Sequence, residues 1–377
     1  MTAHALLSAS GSKRWLSCTP SARLEASLPK RPRKSGGFDF SQEGTMAHSL
    51  AEIKLRHHYG QIGYDEFERE YEIIKATPYY DADFEANVDN YVLYVRSQIG
   101  EGDTPLFEQR VDFSDWVPDG FGTADVIILS KHSIRVIDLK FGKGIPVSAV
   151  DNSQLRLYAL GAYNKFKEEY PEIREVSYTI HQPRLDSIST DGTSLEKLVD
   201  WANYYVKPKA KKAWSGAGDF LPGEWCQFCE GKATCRARSD YNTELAKLEF
   251  KEPALLSEEE FSQVLDKAKN LKTWVNDVEE YAVSRAVLQN IVPPGYKLGT
   301  TTTHRKITDP ALAATVLKEK GIDVGAMWEA PKLKSLATLE KLAPKGQVVQ
   351  WLGDLVVRPE GEPKLVKVKE TVKDDFK

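Results

Sequence analysis

Asp125, Asp138 and Lys140 sit at one end of a stretch that is otherwise apolar and β-branched. The runs Thr123 to Leu129 and Ile134 to Leu139, parted by the polar break Ser130 to Ser133, predict an antiparallel hairpin. A turn centred between Lys131 and His132 sets Asp125 opposite Asp138 on one face, and the period of two adds Lys140 to it. Two facing carboxylates repel, and burial makes this costly unless a cation compensates. A structural ion triad would meet that need. So would a hard divalent ion such as Mg²⁺, which takes one or two carboxylates and otherwise keeps water or phosphate oxygens. A lysine beside such an ion orients water or stabilises charge on a phosphate.

The four cysteines form a second group. Cys226, Cys229 and Cys235 are spaced Cys-x-x-Cys-x₅-Cys, and Cys18 lies far upstream. The trio is tight enough to wrap one metal centre. Four thiolates suit Zn²⁺ or a four-iron–four-sulfur cluster equally, and disulfides are not expected in a cytosolic chain.

Several elements must position these groups. Ser41 to Tyr59 reads as a helix on which His48 and Glu52, four apart, share a face. Residues 62–100 are helical in pattern, with Phe84, Val88, Tyr91, Val92 and Val95 on one face. Leu106 to Phe113 alternates like a strand, and the Pro- and Gly-containing loop Trp116 to Gly122 leads into the hairpin. After it, Lys143 lies in a flexible loop suited to a phosphate contact. Asp151, Asn152 or Ser153 caps a helix that carries Gln154 and Tyr158 towards Tyr170. Glu175 to Gln182 reads as a strand and Leu195 to Trp214 as a helical stretch that Pro208 ends or kinks. Lys30 to Lys34 and Lys207 to Lys212 are basic runs, each a solvated segment or a phosphate contact.

Length and composition set the frame. The 377 residues allow two or three domains, and 41% hydrophobic with 28% charged residues is ordinary for a soluble globular protein. No apolar run is long enough to span a membrane and no signal-peptide layout opens the chain, so a cytoplasmic protein is expected. A net charge of −4 excludes a generally basic nucleic-acid coat and leaves room only for a local groove. Residues 1–248 are expected to form the main domain and 249–357 a mostly helical appendage. In the appendage Ser257 to Glu260 is a capping box for a helix to about Leu288, and Asp309-Pro310 opens another. Residues 358–377 form a charged tail expected to be mobile.

Asp125, then Asp138-Leu139-Lys140, then Gln154-x-x-x-Tyr158 resembles the core of the PD-(D/E)XK nucleases, and within them the RecB-like branch. Gly44-Thr45-Met46-Ala47-His48 is similar to that branch's Gly-Thr-x-x-His motif. The element before Asp125 is Gly-Thr-Ala rather than Pro, and Asp138 stands where many relatives carry Glu. One N-terminal cysteine with a distal trio resembles the iron–sulfur nucleases, including AddB-type recombination enzymes and CRISPR-adaptation nucleases. The resemblance covers roughly residues 10–240. The whole chain is also similar to an uncharacterised phage-encoded group.

These resemblances imply an α/β restriction-endonuclease-like core with a mixed central sheet, an iron–sulfur clip and a helical C-terminal appendage. They imply Mg²⁺ or Mn²⁺ on His48, Asp125, Asp138 and the Leu139 carbonyl, with Lys140 catalytic and Glu52 supporting. Gln154, Tyr158 and Lys143 would contact DNA. Cys18, Cys226, Cys229 and Cys235 would hold a 4Fe-4S cluster, with Zn²⁺ the alternative. The implied activity is a DNA exonuclease acting on ends or single strands, with phage replication or recombination proteins as partners. A non-cleaving DNA-binding or scaffold subunit of the same fold is the alternative.

Overall fold

A computed structural model describes residues 5–29, 39–144, 146–244, 257–300, 306–329, 332–333, 336–343, 347–357 and 363–367. The basic run at 30–34 and the end of the tail lie outside these residues. The chain forms two compact units, residues 1–271 and 272–377.

In the first unit, α1 (Ser12–Ser17) and α2 (Ser21–Ser27) precede the longer α3 (Phe40–His58), whose N-terminus is capped by Asp39 accepting from the Ser41 and Gln42 amides. The next helical stretch is two helices, α4 (Tyr64–Lys75) and α5 (Ala82–Gln98), the second capped by Asp81. β1 (Thr104–Asp112), β2 (Phe121–Leu129) and β3 (Ser133–Leu139) follow as antiparallel neighbours. α6 (Ser153–Phe166) then crosses to β4 (Glu175–Gln182), which lies parallel to β3. β5 (Ser187–Ser194) closes the far edge, giving a mixed sheet in the order β1-β2-β3-β4-β5.

The sheet carries a hydrophobic cluster on each face. One joins Leu16, Ile127, Val136, Leu157 and Tyr178 beneath α1, α6 and the later helices. The other joins Leu50, Phe84, Val88, Ile128 and Ile137 beneath α3 and α5. Burial of both faces explains why β2 and β3 are nearly continuous apolar runs. Gly161 matters to this packing: a Cβ there would lie 2.8 Å from the Val111 Cβ, so its absence lets α6 approach β1.

α7 (Leu195–Trp201) passes through a π turn (Ala202–Val206) into α8 (Lys207–Ser215). The Lys207 amide donates to the Ala202 carbonyl five residues back, so the helix shifts register just before Pro208 rather than ending. A short 3₁₀ turn (Glu224–Phe228) and α9 (Arg236–Thr243) carry the cysteine trio.

The boundary between the units falls inside α10 (Glu258–Gln289) rather than near residue 248. The Ser257–Glu260 capping box forms: the Glu260 amide donates to Ser257 Oγ and the Ser257 amide to Glu260 Oε2. The second unit continues with β6 (Tyr296–Thr300), β7 (Lys306–Ile307), α11 (Pro310–Glu319) and further short elements around Leu317, Met327 and Leu339. The tail departs from expectation. Pro363–Lys367 pairs antiparallel with β6, because Leu365 and Val366 give that segment enough β character to form an edge. Among the described residues, no helix is long and apolar enough to cross a membrane.

Candidate functional site

The hairpin register is the one its turn predicts, Val126 opposite Ile137 and Leu129 opposite Ile134. Pairing stops at Val126–Ile137, and the two strands part where Asp125 and Asp138 come next. The Leu139 amide donates to Asp125 Oδ2 at 2.7 Å, placing that carboxylate in the fork.

The acids do not share a face as strict alternation requires. On β2, Ile127 and Leu129 belong to the α6-side cluster and Val126 and Ile128 to the α3-side cluster, yet Ala124 rejoins the α6 side. The packing phase therefore changes at Asp125. Its partner on β1 changes too: Glu108, set opposite Asp125 by the flanking pairs Phe107–Val126 and Gln109–Ala124, has φ of +46°. Left-handed backbone at a non-glycine strand residue is uncommon and strained.

The outcome is two half-sites meeting at the fork. Towards α3, His48 Nδ1 lies 3.2 Å from Asp125 Oδ1 and 4.0 Å from Glu108 Oε1. A potential ligand atom from each of these three residues lies within 4.8 Å of the others. Glu52 lines the same pocket, one turn on from His48, and bonds Arg56 at 3.2 Å. Tyr91 closes the pocket floor; its hydroxyl is buried and makes no hydrogen bond among the described residues. Towards α6, Lys140 Nζ lies 2.6 Å from Asp138 Oδ2. Gln154 Nε2 donates to Asp138 Oδ1 and to the Tyr158 hydroxyl, each at 3.2 Å, and Lys140 Nζ donates to Gln154 Oε1 at 3.4 Å.

Local chemistry explains the placement of α6. Asn152, one of three candidate caps, accepts from the Gln154 and Leu155 amides and starts the helix where Gln154 meets the fork. The Tyr158 ring lies over Gly122, where an added Cβ would stand 2.7 Å from the ring. Lys143 is not drawn in. It is exposed on the loop after β3 and makes no ion pair or side-chain hydrogen bond among the described residues.

The charges are mismatched in a way that a cation would relieve. Burial and the Asp125 charge raise Glu108 to about 7, and burial with Asp125 repulsion raises Asp138 despite Lys140. Burial opposes the His48 charge, but Asp125 overcomes it through charge and hydrogen bond and lifts His48 to about 9. Asp125 is held below its usual range: burial opposes ionisation, and His48, Lys140 and the Leu139 amide outweigh it. Lys140 stays charged, since Asp138 and Asp125 outweigh its burial. Two carboxylates and an imidazole, those of Glu108, Asp125 and His48, are a donor set that fits a hard divalent ion or Mn²⁺. Glu108 and Tyr91 are additions to the sequence-derived set.

The other candidate group is the four cysteines. Cys18, at the end of α1, lines one cavity with Cys226, Cys229 and Cys235. Arg14 bonds the Phe228 carbonyl at 3.2 Å and Glu25 at 2.7 Å, and the Glu230 amide donates to Glu25. Burial raises the thiols of Cys18 and Cys226, and pushes Cys229 up to about 12. No three of the sulfurs fall within 4.8 Å of one another, whereas tetrahedral Zn–S bonds of ~2.3 Å set sulfurs under ~4 Å apart.

Comparison with solved structures finds SSO0001, whose crystal structure is 14% identical, covering 58% of this chain and 94% of its own, with a TM-score of 0.24. A likeness at that score fixes neither fold nor function. The model of the DUF2800 family, described as protein of unknown function, matches residues 4–373, and the chain belongs to that family.

Proposed function

We propose that this chain is a divalent-metal-dependent deoxyribonuclease of the RecB-like PD-(D/E)XK type, acting as an exonuclease on DNA ends or single strands. The observation that carries the reading is the fork: His48, Glu108 and Asp125 within ligand distance on one side, Asp138, Lys140 and Gln154 hydrogen-bonded on the other. Mg²⁺ or Mn²⁺ would be held by His48, Glu108 and Asp125, with Asp138 and the Leu139 carbonyl beside it. When bound, such an ion supplies Lewis-acid polarisation of the phosphodiester.

The chain's own residues have separable tasks. Lys140, paired with Asp138, would position or activate water and stabilise charge building on the phosphate. Gln154 fixes Lys140 and Asp138 relative to each other. The four cysteines would hold a 4Fe-4S cluster that ties α1 to the segment after α8, a structural role.

The test is cleavage of labelled single- and double-stranded DNA in Mg²⁺ and Mn²⁺, with Mn²⁺ titration of each protein. Lys140→Ala should lose cleavage 10²–10³-fold while Mn²⁺ binding is retained. Glu108→Gln should lose both. Cleavage at the wild-type rate by Lys140→Ala would sink the assignment.

A further inference from the structure

The π turn and α8 present an exposed face that the nuclease reading does not use. Tyr204 is 82% exposed and Tyr205 43% exposed, although both follow the buried Ala202 and precede the buried Val206. Lys207, Lys211 and Lys212 are exposed and form no ion pair or side-chain hydrogen bond among the described residues. Helical spacing puts Tyr204, Lys207 and Lys211 in one stripe and Tyr205, Lys209 and Lys212 in the next. Each stripe begins with an aromatic ring and continues with cations. On a protein of net charge −4, four lysines within six residues, Lys207 to Lys212, are a local departure.

The face is also pre-ordered. Arg156 of α6 lies 5.5 Å over Trp201, Trp201 stacks on Tyr205 with an interplanar angle of 22°, and Lys209 sits 4.2 Å over Tyr205. Lys209 further donates to the Leu16 carbonyl at 2.8 Å. This cation–ring–ring–cation ladder fixes Tyr205 and leaves the neighbouring Tyr204 ring free. Tyr204 lies within the π turn, a kind of helix defect that recurs at functional sites.

We propose that this face docks single-stranded nucleic acid, with Tyr204 stacking on a base and Lys207, Lys211 and Lys212 contacting phosphates. A π surface beside mobile cations suits unpaired bases; duplex DNA keeps its base faces covered. The face shares helices with the candidate active site. Ser12 of α1 bonds Ser153 of α6 at 2.6 Å, next to Gln154, and α1 in turn packs against α8. Guidance of a strand towards the fork rests on the nuclease reading; the docking itself does not.

Binding is therefore measured in EDTA, where no cleavage enters, by fluorescence anisotropy of labelled oligo-dT, an abasic strand of equal length, and a blunt duplex. The full-length protein should prefer oligo-dT to the duplex. Tyr204→Ala should weaken oligo-dT about tenfold and leave the abasic strand unchanged. The Lys207→Gln/Lys211→Gln variant should weaken both strands and lower the salt slope by about 1.4, two contacts at ~0.7 each. Unchanged oligo-dT affinity in both variants, confirmed as folded by thermal unfolding, overturns the proposal. So does a result in which the lysine variant weakens poly-glutamate as much as oligo-dT while Tyr204→Ala changes neither, since the face would then be a dock for an acidic protein. Loss of affinity in a protein that never cleaves DNA would retain the docking surface and reject the nuclease.

Discussion

The carboxylate fork and the four-cysteine cavity are two sites of the same chain, built on opposite principles. The fork is held by the sheet. Strand register, the Leu139 amide and the Gln154 side chain place its acids, and protein cations already neutralise two of them. The cysteine cavity is lined by short segments, and burial raises the thiols of Cys18, Cys226 and Cys229. On the proposed reading its geometry would depend on the cluster that deprotonates and bridges those sulfurs. On the proposed reading, the difference teaches that a ligand at the fork would serve chemistry, whereas one at the cysteines would serve folding.

That contrast can be broken from either side, and the largest effect belongs to the fork. Asp138→Ala should lower the DNA cleavage rate at least 10³-fold while shifting thermal unfolding by only a few degrees. Cys18→Ala should do the reverse. It should lose iron, monitored by the absorbance and iron content of anaerobically purified protein, and cost about 3 kcal/mol of stability by opening a long-range tie. An Asp138→Ala protein that unfolds, or a Cys18→Ala protein that keeps its stability, reverses the assignment of roles. Stoichiometric zinc without iron would replace the cluster by Zn²⁺.

A smaller effect sharpens the claim that the scaffold alone holds the His48 half of the fork. Lys54 of α3 bonds Glu85 and Asp89 of α5 at 2.6 Å each, and Tyr71 and Tyr80 also donate to Glu85. Burial opposes the Glu85 charge, but these donors hold its carboxyl at about 2, below the ordinary 4.5. A depressed folded pKa contributes stability that is fully present above the unfolded value and lost as pH falls through the folded one. Denaturation monitored by circular dichroism should therefore steepen between pH 4.5 and about 2. Glu85→Gln should flatten that limb and cost roughly 2 kcal/mol at neutral pH. An unchanged acid limb would show that the network is not what anchors α3.

Much of this arrangement was legible because it follows from local rules. The polar break at Ser130 to Ser133 fixed the hairpin register, and the Asn152 cap fixed where α6 begins. His48 came instead from the resemblance of Gly44-Thr45-Met46-Ala47-His48 to a Gly-Thr-x-x-His motif, since a helical histidine alone announces no ligand. Glu108 was not legible. Its carboxylate reaches the site because its backbone is left-handed, and nothing in Phe107-Glu108-Gln109 announces that conformation. The division of the two acids between α3 and α6 was hidden for the same reason, since period-two reasoning assumes unbroken alternation. β5 was missed because Ser-Ile-Ser-Thr-Asp-Gly-Thr-Ser has almost no apolar face; as an edge strand it is held by backbone pairing to β4. The proximity of Cys18 to the trio followed from metal-site logic, although no spacing rule links residues so far apart.

The smallest effect tests whether the fork is positioned by side chains as well as by the sheet. Gln154 is half-buried and its side chain is bonded to Asp138, Lys140 and Tyr158, so on the proposed reading its first role is to align Asp138 and Lys140. Tyr158→Phe keeps the ring over Gly122 and removes only the acceptor of one Gln154 hydrogen bond. Gln154→Ala combined with Tyr158→Phe should lower cleavage about tenfold, the cost of one or two neutral hydrogen bonds at the reacting pair. Mn²⁺ affinity should change less, because the His48, Glu108 and Asp125 half is untouched. DNA binding measured in Ca²⁺ separates the remaining outcomes. A rate loss with unchanged binding identifies Gln154 as a positioning residue, whereas equal losses make it a DNA contact. Normal cutting and binding would mean that α6 serves only as packing. A loss of Mn²⁺ binding would join the two halves of the fork into one ligand set, with Asp138 inside it.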